Sequence, residues 1–100
     1  MAKGYWIARV DVTDPEGYKG YVAANAAAFG KYGARFIIRG GRFEAPEGKP
    51  RSRNVVIEFK DYDTAVACYH SAEYMAAKAL RDGQSEADLL IIEGYDGPQP

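Results

Sequence analysis

The sequence predicts an α+β domain of βαββαβ order, and three observations carry that expectation. Four short β-branched or aromatic runs punctuate the chain, helical patterns separate the first from the second and the third from the fourth, and turn residues mark the boundaries. At 100 residues there is room for one core only, so residues 1–96 are expected to form a single domain and 97–100 a loose C-terminal tail.

Each element has a local reason. The run Tyr5 to Val12 alternates partially and reads as the first strand. It stops at Thr13-Asp14-Pro15, where the Asp14 carboxylate can accept from orphan backbone donors and Pro15 suits the first helical position. The following helix reaches about Tyr32. Tyr18, Val22, Asn25, Phe29 and Tyr32 fall on one stripe with Tyr21 beside it, and Gly33 suits a left-handed terminus. Ala34 to Arg39 reads as the second strand, with a bend or bulge at Gly40-Gly41, and Glu44 to Arg53 as a solvated hairpin loop. Asn54 to Phe59 is the third strand. Asp61 or Asp63 can cap a helix carrying Tyr62, Ala65, Val66 and Tyr69, and Ser71 can cap a second stretch, Ala72 to Arg81, ended by Gly83. Leu89 to Glu93 is the fourth strand, and Gln84, Ser85 and Glu86 read as loop.

Right-handed crossovers place strands one and two parallel with strand three between them, which makes the sheet antiparallel in the order 4-1-3-2. The two-residue period then sorts the side chains. Trp6, Ala8, Val10, Val12, Phe36, Ile38, Val55, Ile57 and Phe59 form an apolar face for the helices. Ile7, Arg9, Asp11, Ile37, Arg39, Val56 and Glu58 share the other face. That face is too apolar for solvent and too charged for an ordinary core. A second copy covering it would satisfy both, so a two-fold homodimer through the sheet face is expected.

Composition narrows the function classes. Net charge is −1 with both signs mixed, so no basic stripe offers itself to nucleic acid. No apolar run is long enough for a membrane span, the N-terminal residues lack the apolar core of a signal peptide, and the one cysteine, Cys68, has no internal partner. A cytoplasmic setting is expected.

The stretches Gly4-Tyr5-Trp6-Ile7-Ala8, Val12-Thr13-Asp14-Pro15, Arg39-Gly40-Gly41, Val56-Ile57-Glu58-Phe59 and Cys68-Tyr69-His70-Ser71-Ala72-Glu73-Tyr74 resemble the domain-of-unknown-function 1330 family, in the same order and over nearly the whole chain. The resemblance implies a ferredoxin-like dimeric α+β barrel in a bacterial protein. The wider superfamily includes cofactor-free monooxygenases, lactone isomerases and haem-degrading enzymes. Fold alone does not transfer any of these activities.

Several residues carry candidate chemistry, each beside a plainer role. His70, the sole histidine, can act as a general acid or base; it can equally cap a helix end at the surface. Arg9 and Arg39 can grip an anion with Glu58 orienting them; the same three can form an ion network between subunits. Tyr69 and Tyr74 can line an aromatic-ligand pocket, whereas Tyr18 and Tyr62 read as core. Cys68 and His70, two apart on a helix, point to different faces and no acidic cluster completes a set, so no metal site is expected. No cofactor is expected either. Arg39-Gly40-Gly41 lacks the glycine spacing of a phosphate loop. The expected function is binding of a small acidic or aromatic molecule in a sheet–helix cavity of a homodimer, with cofactor-independent isomerisation or oxidation as the reaction and His70 as the proton-transfer group. The alternative is a non-catalytic ligand-binding or structural dimerisation module.

Overall fold

The computed structural model describes residues 2–100. Its elements follow in the order β1 (Gly4–Val12), α1 (Pro15–Lys31), β2 (Arg35–Arg39), β3 (Arg53–Phe59), α2 (Tyr62–Tyr69), α3 (Ala72–Ala79) and β4 (Ser85–Glu93). The sheet runs β2-β3-β1-β4 with every neighbouring pair antiparallel, a ferredoxin-like arrangement.

The helix ends are set by side chains. Asp14 Oδ1 accepts from the Gly17 amide at 3.1 Å, with Pro15 opening α1. Gly33 takes φ 67° just past α1, and the Ala34 amide returns to the Phe29 carbonyl at 2.9 Å. Asp61, rather than Asp63, caps α2 by accepting from the Thr64 amide at 2.7 Å. Ser71 Oγ accepts from the Tyr74 amide at 3.1 Å and opens α3.

The helices cover one sheet face over a core centred on Trp6, which is 1% exposed. Its ring lies edge-on to Tyr74 at 4.8 Å and to Phe29 at 5.3 Å, and its Nε1 donates to the Ala65 carbonyl at 2.8 Å. That last bond ties β1 to α2. The approach needs a glycine at the start of β1, because a Cβ at Gly4 would stand 2.3 Å from the Asp61 carbonyl oxygen.

Two local expectations are corrected. Phe36 pairs with Ile57 while Ile38 pairs with Val56, so Ile37 is an extra residue in β2. This bulge reverses the parity beyond it: Ile38 turns to the outer face, half exposed, and Arg39, opposite Val55, joins the helix face. An edge strand tolerates the insertion because only one side of it is paired. Gly40, where a bend or bulge was expected, makes a bend with φ 67° that starts the connection to β3, and the bulge lies at Ile37. The second correction is that β4 begins at Ser85, not Leu89. The residues Ser85 to Asp88 have weak strand propensity, but Val12 to Arg9 supply a continuous pairing partner.

On the outer face, one row crosses all four strands: Ile38, Val56, Ile7 and Leu90 stand opposite one another in turn. Arg35, Glu58, Tyr5 and Ile92 form the neighbouring row. Arg51 braces the far end, its guanidinium 2.9 Å from Asp11 and 2.8 Å from Asp88.

Candidate functional site

The helix face of the sheet changes character along the strands. The row Phe36, Ile57, Trp6 and Ile91 is wholly apolar. The next holds Arg39, Val55, Ala8 and Leu89; then come Arg53, Val10 and Ala87, and finally Val12 and Ser85. The sheet therefore passes from hydrocarbon to basic and polar groups within a few residues. Above it, α1 supplies Tyr18, Tyr21, Val22, Asn25 and Phe29, α3 supplies Tyr74, and Arg81 follows α3. These groups enclose a cavity of about 50 Å³ between sheet and helices.

Its polar end is built on a buried hydroxyl pair, with the Tyr21 and Tyr74 oxygens 2.8 Å apart. Burial pushes the Tyr21 phenol far above its ordinary range, with Tyr74 adding to the effect, so Tyr21 stays protonated and acts as a hydrogen-bonding group, not a base. The Arg81 guanidinium lies over the Tyr21 ring at 5.4 Å. Burial works against the Arg81 charge, but the neighbouring phenols of Tyr74 and Tyr21 favour it, Tyr74 also through hydrogen bonding to the guanidinium, and its pKa is raised. Arg81 Nε and Ser85 Oγ are both buried and lack a hydrogen-bond partner among the described residues. Arg39, Arg53 and Arg81 all line the cavity, and among the described residues no carboxylate does.

The residues singled out from sequence are dispersed. Arg39 and Tyr74 line the cavity. Tyr69 packs behind it against Trp6 at 5.7 Å and is not part of the lining. His70 is exposed at the C-terminal end of α2, its ring edge-on to Tyr69 at 5.3 Å, and also lies outside the lining. Arg9 faces the opposite side of the sheet, where its Nη2 donates to the Lys49 carbonyl at 3.0 Å. There it borders an open recess of about 400 Å³ beneath the β2–β3 connection. Glu58 accepts from the Tyr5 hydroxyl at 3.2 Å. The expected ladder of Arg9, Glu58 and Arg39 is therefore corrected: Arg9 and Glu58 have separate partners, and the bulge removes Arg39 to the other face.

The cavity also contains residues that sequence reasoning missed. Arg53 had a readable signal, since it shares the parity of Val55, Ile57 and Phe59 and so is a basic group on a core-facing position. Ser85 has the same relation to Ala87, Leu89 and Ile91. Arg81 follows Tyr74 by two helical turns, a spacing that puts both on one side but that the end of α3 obscures. Cys68 is fully buried, and burial pushes its thiol up to about 12. Among the described residues, no helix is long and apolar enough to cross a membrane.

Fold and site together define a ferredoxin-like α+β domain with an amphipathic cleft between its sheet and helices. The chain belongs to the DUF1330 family, a domain of unknown function, whose model matches residues 3–95. Among solved structures, it is similar to a protein of unknown function from Rhodopseudomonas palustris, at 14% identity and TM-score 0.72, covering 96% of this chain and 85% of that one. A cofactor-independent oxygenase from Streptomyces nogalater, SnoaB, matches at 14% identity and TM-score 0.66 over 100% of this chain and 97% of that one. A dimeric protein of unknown function and ferredoxin-like fold from Bacteroides fragilis matches at 16% identity and TM-score 0.55, covering 91% and 95%. No curated protein matches.

Proposed function

We propose that the protein is a homodimer that binds a small organic molecule, acidic or aromatic, in the cleft between sheet and helices. The observation that carries this reading is the cleft's polarity: aromatic and aliphatic walls at one end, guanidinium and hydroxyl groups at the other. Such a lining suits a ligand that is apolar over most of its surface and polar at one point. The test is a thermal-shift screen of short carboxylic acids, aromatic acids and phenols against the intact protein. Saturable stabilisation that is lost in a Tyr74→Phe variant supports the cleft; no stabilisation by any of them rejects it.

The homodimer is supported by the outer sheet face. Ile38 and Leu90 at the two ends of the cross-sheet row are about half exposed, at 49% and 50%. Arg35 stands opposite Glu58 in the next row, so both signs are available to a two-fold copy. The dimeric Bacteroides fragilis protein adds fold-level support.

A second reading, cofactor-independent isomerisation or oxidation of the bound molecule, draws on the likeness to SnoaB and on the Tyr21–Tyr74 hydroxyl pair, which can donate to a developing oxyanion. Product formation from a screened ligand, followed with oxygen uptake, distinguishes this from simple binding. With His70 outside the cavity, His70→Ala is expected to leave ligand affinity unchanged.

A further inference from the structure

We infer that the ligand is a small organic carboxylate and that Arg81 and Ser85 hold its charged end. The inference rests on the cleft being the binding site and goes further by fixing the chemistry of what enters it. Arg81 and Ser85 line the same cavity, and Arg81 Nε and Ser85 Oγ are buried with no hydrogen-bond partner among the described residues. A buried donor without a partner is costly, so the pair calls for a group to fill it.

The nature of that group follows from the donors. A guanidinium N–H can only donate, and a serine hydroxyl can also donate, so an acceptor-only group suits both. An ionised carboxylate has two such oxygens. Charge points the same way. Three guanidinium groups line the cavity, and among the described residues no acid there offsets them. A neutral amide offers one acceptor oxygen where a carboxylate offers two and brings no charge to offset the guanidinium groups, and an ammonium would add to the positive charge. The walls beyond the basic end are apolar, formed by Trp6, Phe29 and Ile57. The ligand is therefore ionic at one end only, which sets it apart from an inorganic dianion. The cavity, about 50 Å³, limits the carbon chain of such a carboxylate to a short one.

The test is isothermal titration of the intact protein with butyrate, butyramide, butylammonium and sodium chloride at matched ionic strength. Butyrate is expected to bind at least about tenfold more tightly than butyramide, and butylammonium not at all. Arg81→Gln should weaken butyrate roughly tenfold to hundredfold, as for loss of a charged hydrogen bond, while weakening butyramide by a smaller factor. Ser85→Ala, the milder variant, should weaken butyrate by a smaller factor and guards against misfolding in Arg81→Gln, with Trp6 fluorescence reporting the fold of each. Equal affinity for butyrate and butyramide overturns the carboxylate assignment and leaves the cleft intact as a binding site. Competition by chloride at the affinity of butyrate overturns it in favour of a simple ion site. If butyrate and butyramide both fail to bind, and the wider ligand screen also fails, the cleft reading falls with the inference.

Discussion

The Arg39 guanidinium lies over the Phe36 ring, 4.1 Å from its centroid, on the same face of β2. Residues three apart in a regular strand point to opposite faces, so this contact exists only because Ile37 bulges out between them. Deleting Ile37 is therefore expected to regularise β2 while keeping Arg39 on the cavity face. Nuclear Overhauser contacts between the Arg39 side chain and the Phe36 ring should survive the deletion; their loss would show that the parity is set some other way.

The buried hydroxyl pair makes a second prediction. Tyr74→Phe leaves the Tyr21 hydroxyl without its partner, and Tyr21→Phe does the reverse, so each should cost about 1–3 kcal/mol. Replacing both removes the need for a partner. The double variant should be less destabilised than the sum of the two singles, by a coupling of about 0.5–3 kcal/mol in urea unfolding.

Trp6→Phe should destabilise the fold by about 2–4 kcal/mol. The change loses the hydrogen bond to the Ala65 carbonyl and leaves space among the aromatic rings of a nearly sealed core. A lowered urea midpoint with an unchanged slope is the expected signature.

Cys68 makes stability fall at high pH. Its folded thiol is pushed up to about 12 from an ordinary value of 9.0, chiefly by burial. Above the lower value the unfolded chain loses this proton while the folded one keeps it, so stability declines from about pH 9 towards 12. Tyr21 acts in the same direction from its ordinary value of 10.0 upwards. Cys68→Ala should flatten the decline between pH 9 and 10, read as the urea midpoint at each pH, while Tyr21 still contributes above it.

Leu90→Lys places a charge at the end of the apolar row on the outer face. It should convert a particle of twice the 11.0 kDa chain mass to a single-chain particle in light scattering, with little change in helical circular dichroism. An unchanged mass would reject this face as the dimer surface.

Much of the architecture was legible because its determinants are local. Asp14 with Pro15, Ser71 and Gly33 mark helix ends through their own side chains or backbone freedom, and the alternation of Trp6, Ala8 and Val10 identifies the core face of β1 without reference to the rest of the molecule. The site was less legible because its determinants are relational. Arg39 reaches the cavity through a bulge that no glycine marks, since Ile37 is as good a strand residue as its neighbours. Ser85 enters a strand only because β1 extends far enough to pair it. Arg81, beyond the end of α3, meets the Tyr21 ring of α1 only once the chain is folded. Arg9 and Glu58 looked coupled by charge, but the register puts Asn54 opposite Arg9 and Tyr5 opposite Glu58.

The outermost strands of the sheet also bear on how the molecule stays discrete. An uncovered strand edge is a template for endless addition of further chains. β2 interrupts that template with its inserted residue and with Arg35 and Arg39, while β4 presents Glu86, Asp88 and Glu93 along its length. Growth edge to edge into filaments is thus opposed at both rims, which leaves the outer sheet face as the surface for the proposed pairing of two copies.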